Sequence, residues 1–183
     1  MTQTPTRSDA RENRRRLLDA AREAFAESPE ASLNRVAKIA GVGPGTLYRH
    51  FPTREDLVLA VYRDELEQLV ALAPALLAAH PPLAALRLWF ARLAAGGQMK
   101  SGVAAIVHSE SGEGIAREAY GPVVGAIRQL VVACADEGSL RSDLDPDDVL
   151  LLLGFLWRID PASGGGERAE RLLGLVMDGL RPR

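Results

Sequence analysis

The chain has 183 residues, 47% hydrophobic and 25% charged, a balance typical of a folded globular protein and not of a disordered one. Its formal net charge is -2, but residues 1–54 carry 10 Lys and Arg against 6 Asp and Glu, whereas residues 55–183 carry 12 against 18. A basic N-terminal part followed by an acidic remainder indicates an anionic partner at the N-terminal end. The single cysteine excludes an intrachain disulfide.

The N-terminal residues carry no membrane or export signal. Residues 1–10 are polar, and no apolar run reaches the roughly 18 residues needed to span a bilayer. We therefore expect a cytoplasmic protein with no membrane partner, whose residues 1–10 form a flexible arm.

Apolar residues recur at helical spacing along most of the chain, and no alternating run marks a strand, so the sequence predicts an all-α fold. A first helix is predicted from Asp9 to Ser28, because residues 9–12 have capping-box spacing. A second helix begins at Ser32, a suitable N-cap, and ends at Gly41.

A short third helix is predicted over residues 44–50, with Gly43 as its N-cap and Pro44 at its first position, where a missing N–H costs nothing. Leu47 and Phe51, four residues apart, give this helix an apolar stripe with which it docks, so its polar residues face outward.

The fourth helix is predicted to begin with the cap Thr53 and to end at Ala73, since Pro74 follows. Prolines and glycines divide the middle of the chain into helical pieces of about 75–80, 83–95, 98–109 and 115–137. A helix is predicted from Asp145 to about Ile159, and its part from Val149 onward is apolar on nearly every side; the last helix covers about residues 167–180.

The segment from Ser32 to Leu57 holds two short helices joined by a tight turn, which is the helix-turn-helix arrangement. Its motifs resemble the DNA-binding signature of TetR-family repressors: Val36-Ala37, Ala40-Gly41-Val42, Gly45-Thr46-Leu47-Tyr48, His50-Phe51 and Glu55-Asp56-Leu57. Residues 138–145 and the Leu-rich helix after them are similar to SbtR-like members of that family.

The resemblance implies a helix-turn-helix DNA-binding domain over residues 11–54 and a ligand-sensing and dimerisation domain over residues 55–183. It also implies a homodimer that binds double-stranded operator DNA and is released by a small-molecule effector. Repression is the expected sign of regulation, with activation as the alternative.

The DNA-facing positions implied by the resemblance are Ser32, Gly43, Pro44, Thr46, Tyr48, His50 and Arg54. Tyr48, His50 and Arg54 are assigned to phosphates and Thr46 to a base edge, with local packing as the alternative for Tyr48 and His50. Because residues 43 and 44 offer no polar side chain, specificity is expected to rest on Thr46, on the ends of the second helix and on DNA shape. Arg14 and Arg15, next to Arg16, favour an outside phosphate, with a solvated helix face as the alternative.

Two further sets of residues belong to the body of the chain. Aromatic and other apolar side chains suit a ligand pocket as well as they suit a core; the pocket candidates are Trp89, Phe90, Met99, Ile106, His108, Tyr120 and Ile127. Two apolar helices from each subunit would form an isologous four-helix contact, with burial inside one subunit as the alternative. The dimer-interface candidates are Leu152, Phe155, Leu156, Leu172 and Val176.

Catalytic and cofactor motifs are not found in the sequence. The glycines of residues 41–46 follow a helix instead of a strand and lack the P-loop lysine, and neither HExxH nor GxSxG occurs. We expect no cofactor, no metal site and no enzyme activity. The rivals are an enzyme carrying an accessory DNA module and a DNA-packaging module with little sequence preference.

Overall fold

The protein is described by a computed structural model covering residues 7–97, 101–159 and 165–182. Every regular element in these ranges is helical, which confirms the predicted all-α class. The helices are α1 (Arg7–Glu27), α2 (Leu33–Ala40), α3 (Pro44–His50), α4 (Arg54–Ala79), α5 (Pro82–Gly97), α6 (Ser101–Val107), α7 (Glu110–Asp136), α8 (Pro146–Leu152) and α9 (Gly165–Gly179). A 3-10 helix, Leu153–Arg158, continues from α8.

Helix α1 begins earlier than the sequence indicates. It starts at Arg7, so Asp9 lies inside the helix instead of at its N-cap. Residues 7–10 of the expected arm are therefore helical, while residues 1–6 of that arm lie outside the described part of the chain.

Pro74 does not end α4, which continues to Ala79. A proline inside a helix removes one backbone hydrogen bond and tends to kink the helix. The residues beyond it, Leu76 and Leu77, pack against the buried apolar cluster of the body, and this burial offsets the lost hydrogen bond. The prediction that α4 stops at Ala73 is therefore wrong.

The glycines near residue 112 lie inside α7 and do not precede it. The Ser109 side chain accepts a hydrogen bond from the Gly112 N–H at 3.4 Å, so Ser109 caps the helix. A Cβ on Gly112 would lie 2.1 Å from the carbonyl oxygen of Val107. Glycine at this position thus permits a close backbone approach between the end of α6 and the start of α7.

The chain divides into two compact units, Met1–Asp64 with Lys100–Ile115 and Glu65–Met99 with Ala116–Arg183. The boundary expected after Arg54 falls inside the first unit. The start of α4 belongs to that unit because Leu57 and Val58 are fully buried there and Asp64 forms an ion pair with Arg22 of α1.

Each unit has its own core. In the first unit, α1 packs against α2 and α2 packs against α3, and the largest fully buried side chains are Leu17, Val36, Leu47, Leu57 and Val58. In the second unit, α5 packs against α9 and the 3-10 helix. The largest fully buried side chains of that unit are Trp89, Phe90, Leu86, Ile127, Leu130, Leu153 and Leu156.

The turn between α2 and α3 depends on Gly41, which takes the left-handed conformation with φ 66° and ψ 31°. Its N–H donates to the carbonyl of Lys38, and the N–H of Val42 donates to the carbonyl of Ala37 at 3.1 Å. These bonds satisfy the last carbonyls of α2 and end the helix where the sequence predicts.

Replacing Gly41 with alanine should lower the free energy of unfolding by about 1 to 2 kcal/mol, because a Cβ disfavours left-handed backbone. Gly45→Ala is the matched control, since this glycine lies within α3 with open space around it. The control should raise stability by roughly 0.5 to 1 kcal/mol. Thermal unfolding followed by circular dichroism measures both, and equal effects of the two changes would contradict the assigned turn.

Candidate nucleic-acid interface

Helices α2 and α3 have the caps that the sequence predicts. The hydroxyl of Ser32 accepts a hydrogen bond from the N–H of Arg35 at 3.3 Å, which caps α2. Gly43 is the N-cap of α3 and Pro44 lies in its first turn. These local bonds fix where each helix begins and hold the two helices in sequence across the Gly41 turn.

Helix α3 is fixed by one apolar side and exposes a polar one. Leu47 is completely buried and Phe51, directly after the helix, is nearly so, which confirms the predicted docking stripe. On the other side Tyr48 is 46% exposed, and Thr46 and His50 are half-buried. The helix therefore presents hydroxyl, imidazole and guanidinium groups outward from a rigid attachment.

Arg54 is engaged inside the first unit. Its Nη2 donates to the carbonyl oxygen of Pro29, and its guanidinium carbon lies 5.3 Å from the centre of the Phe25 ring. The side chain thus links the start of α4 to α1 and to the loop after α1. The local spacing does not reveal that the Pro29 carbonyl lies within reach of Arg54, and the phosphate contact expected from the sequence stays a prediction beside these contacts.

We expect Arg54→Ala to lower the free energy of unfolding by about 2 to 4 kcal/mol, since it removes a hydrogen bond from a charged donor and a cation–π contact. Arg54→Lys is the informative control: it keeps the charge but not the planar, multiply donating group, so stability should still fall. Urea unfolding followed by circular dichroism measures both variants. An unchanged midpoint together with a shallower salt dependence of DNA binding would contradict the stabilising role and favour the phosphate contact alone.

Arg14, Arg15 and Arg16 of α1 are exposed. Arg15 pairs with Glu12 at 3.0 Å, which holds the pKa of Glu12 below its usual value and raises that of Arg15. The guanidinium of Arg14 lies 5.6 Å from the centre of the Phe51 ring, and Arg16 donates to the side chain of Asn13. Arg14 thus extends from α1 over the residue that ends α3, where it remains exposed.

Sequence reasoning did not select Arg49, which is exposed on α3. Its Nε donates to the carbonyl oxygen of Gly45 at 3.1 Å and its Nη2 donates to Oγ1 of Thr46 at 3.2 Å. Helical spacing could have found it, because residues three and four apart share a face and Arg49 stands at these intervals after Thr46 and Gly45.

The pocket candidates are divided between the two units. Trp89, Phe90 and Ile127 are fully buried in the core of the second unit, and Nε1 of Trp89 donates to the carbonyl oxygen of Leu69 at 2.8 Å. This hydrogen bond and its complete burial give Trp89 a core role. In a sequence alone, an aromatic residue of the core cannot be distinguished from one that lines a pocket.

The other pocket candidates lie elsewhere. Ile106 and His108 belong to the first unit, where Ile106 is half-buried and His108 is exposed. Tyr120, in the second unit, is 45% exposed and its hydroxyl donates to Oδ1 of Asp147 at 2.8 Å, a bond that raises the pKa of Tyr120. Met99 lies outside the described residues.

The dimer candidates divide into exposed and buried residues. Leu152 is exposed, whereas Phe155, Leu172 and Val176 are half-buried. Leu156 is buried in the core of its own unit, so the expectation that it lies at a subunit contact is corrected. The 3-10 helix after Leu152 changes which side chains face inward, a change that an all-round apolar sequence does not signal.

Two exposed leucines join these candidates. Leu151 of α8 is 70% exposed and Leu175 of α9 is 68% exposed, the two most exposed large apolar side chains among the described residues. Sequence reasoning missed them because α8 and α9 contain many leucines and only the packing of the unit separates the inward ones from the outward ones.

Three further features bear on a reactive cysteine, a metal site and a membrane-spanning helix in the described ranges. Cys134 is buried, which raises the pKa of its thiol to about 11, so it stays protonated at neutral pH. No cluster of three or more His, Cys, Asp or Glu side chains among the described residues could hold a metal ion. Within those same residues, no helix is both long and apolar enough to cross a membrane.

Comparison with known families gives two matches that together extend along most of the chain. Residues 17–61 match the family model described as bacterial regulatory proteins, tetR family. Residues 81–182 match the model for the C-terminal domain of SbtR-like transcriptional regulators. The first match contains the whole of α2 and α3.

Solved structures and curated relatives agree with these matches. A TetR transcriptional regulator from Streptomyces coelicolor is 39% identical with a TM-score of 0.80, covering 92% of this chain and 98% of that one. A TetR transcription regulatory protein from Mycobacterium vanbaalenii is 31% identical with a TM-score of 0.76, covering 96% and 99%. An HTH-type transcriptional regulator from Staphylococcus aureus is 44% identical over 63 residues, so the match spans 33% of this chain and 34% of that relative.

Proposed function

The chain belongs to the TetR family of bacterial regulatory proteins, and from this premise we propose that it is a homodimeric repressor released from operator DNA by a small molecule. Its helix-turn-helix is the family's DNA-binding element, and regulators of this family are transcription factors without catalytic activity. Sequence-specific operator binding, dimerisation, repression and effector release are the parts that this proposal adds.

One observation carries the DNA-binding part. Helix α3 is held by the buried Leu47 while Thr46, Tyr48 and Arg49 stand on its outer side, and a glycine turn joins it to α2. A short helix with this support and this polar surface suits insertion into the major groove, where base edges carry distinct donor and acceptor patterns. Tyr48 and Arg14 are exposed and positioned for phosphates on this proposal.

Dimerisation is supported by the exposed leucines of α8 and α9. Large apolar side chains that remain exposed favour an interaction surface, and an isologous contact uses the same patch on both subunits. Two recognition helices related by twofold symmetry would then read an inverted repeat.

Effector release is proposed to act through α4, which runs without interruption from the first unit into the second. A helix that belongs to both units can carry a change of state from one to the other. A small molecule that binds more tightly to the state with low DNA affinity shifts the equilibrium toward that state. The core of the second unit is apolar, as the walls of most small-molecule pockets are.

The proposal is tested by selecting duplexes from a random-sequence pool with the purified dimer, and then measuring operator affinity in excess competitor DNA. A library of small metabolites is screened in parallel by thermal shift. We expect an inverted repeat to be selected, and compounds that raise the melting temperature to weaken binding to it, since coupling between two ligands is reciprocal. If binding compounds leave operator affinity unchanged, effector release is wrong although operator binding stands.

A further inference from the structure

We propose that Arg49 reads a guanine in each half-site of the operator and that the hydroxyl of Thr46 positions the Arg49 side chain for this contact. The inference rests on the proposed operator binding and assigns its sequence choice to one residue of α3. It also changes the part played by Thr46, from direct contact with a base to orientation of its neighbour.

The composition of α3 leaves few side chains for base recognition. Pro44 and Gly45 offer no hydrogen-bonding side chain, and Tyr48 has a single hydroxyl. His50 is half-buried, and its ring lies 6.2 Å from that of Phe51. Arg49 is the one side chain of this helix with a permanent charge and several donors.

The geometry directs this side chain along the exposed face of the helix. The Nε bond to the Gly45 carbonyl and the Nη2 bond to Thr46 Oγ1 fold the guanidinium back toward the first turn of α3. It therefore lies over the part of the helix where residues 43–45 have no polar side chains of their own. The remaining N–H groups of the guanidinium stay available to a partner.

The hydrogen bonds of Arg49 do not neutralise the positive charge of its guanidinium. Arg15, Arg22 and Arg35 of the same unit each pair with a carboxylate. Arg49 instead donates to a carbonyl and a hydroxyl, which are neutral. A guanidinium with free donors matches the O6 and N7 acceptors that guanine presents in the major groove, the commonest specific arginine contact to DNA.

The restricted conformation of the Arg49 side chain also favours base recognition by this residue. A free arginine side chain loses much conformational freedom when it is fixed at an interface. Two hydrogen bonds to its own helix restrict Arg49 before DNA binds. Thr46 supplies one of them through its hydroxyl, so removal of that hydroxyl alone should loosen the guanidinium without removing a donor to DNA.

The experiment selects an operator with the wild-type protein and then measures affinity by fluorescence anisotropy for that duplex and all its single-base variants, over a series of salt concentrations. The variants are Arg49→Ala, Arg49→Lys, Thr46→Val, Thr46→Ser and the double variant Arg49→Ala with Thr46→Val. Arg87→Ala removes an exposed arginine of α5 and is the matched control. Circular dichroism confirms that each variant is folded.

We expect the wild type to prefer guanine at one position of each half-site by about tenfold or more. Arg49→Ala and Arg49→Lys should lose most of this preference at that position alone, because lysine cannot make the planar two-donor contact. Thr46→Val should weaken the same preference, Thr46→Ser should retain it, and the double variant should be no less selective than Arg49→Ala. Arg87→Ala should leave the preference unchanged.

Three results would overturn the inference. A uniform loss of affinity over all base variants, with a salt slope about one lower per subunit, would make Arg49 a phosphate contact. A loss of preference at a different position in Thr46→Val would mean that Thr46 reads a base itself. Failure of the wild type to select any sequence would instead overturn the proposed operator binding, and this inference with it.

Discussion

Replacing Leu151 or Leu175 with glutamate should convert the proposed dimer into folded monomers. Both side chains are more than two-thirds exposed in the single chain, so the change does not disturb the core of the subunit. In a symmetric contact each substitution buries two carboxylates, one from each subunit. An uncompensated buried charge costs about 3 to 5 kcal/mol, which weakens dimerisation by a factor of roughly 100 or more.

Light scattering at micromolar concentration measures the mass of each variant, and circular dichroism measures its helical content. Leu88→Glu is the matched control, because Leu88 is an exposed leucine on α5, away from α8 and α9 in sequence. It should remain dimeric. Dimeric mass in both the Leu151 and Leu175 variants would place the subunit contact elsewhere on the molecule.

The largest loss of stability is expected for Trp89→Ala. The indole is completely buried, so its removal leaves a cavity that costs about 3 to 5 kcal/mol. The carbonyl of Leu69 also loses the donor that the indole N–H provides. The total approaches the entire stability of a typical domain, and the variant should be partly unfolded at 37 °C.

Trp89→Phe separates the two contributions, since it keeps an aromatic ring in the core and removes the N–H. We expect a loss of about 1 to 3 kcal/mol for this variant, measured by urea unfolding followed by circular dichroism. If Trp89→Ala kept its stability and lost only the response to effector compounds, Trp89 would line a ligand pocket and its assignment to the core would be wrong.

The helix-turn-helix could be predicted because its determinants are local. Gly41 requires left-handed backbone, Ser32 caps α2, and Gly43 with Pro44 begins α3, all within about a dozen residues of sequence. Each of these signals depends on the conformation of a few neighbouring residues. For that reason both helices end where the sequence indicated.

Features that depend on tertiary packing were less accessible. Pro74 stays inside α4 because the leucines beyond it pack, partly buried, against the apolar core, and this packing depends on helices far away in sequence. Arg54 contacts the Pro29 carbonyl, 25 residues away, a contact that its position beside the cap of α4 does not indicate. Sequence patterns over a few neighbouring residues do not indicate contacts with residues this far away in the chain.

The division of the apolar residues shows the same limit. Trp89 suits a core and a pocket equally well in a sequence, and only its burial and its bond to Leu69 separate the two. Leu152 and Leu156 belong to one continuous apolar run, yet the first is exposed and the second is buried. Arg49 was missed because its significance depends on the neighbours that hold its guanidinium over α3.

The central claim is that a dimer of this chain binds one DNA sequence in preference to others through α3. The most direct measurement is anisotropy titration of the selected inverted repeat and of a scrambled duplex of the same composition, at one physiological salt concentration and with the binding stoichiometry determined. We predict one or more dimers per repeat and affinity for the repeat at least about 1,000-fold higher than for the scrambled duplex. Equal affinity for both duplexes, falling steeply with salt, would contradict the claim and indicate binding to the phosphate backbone alone.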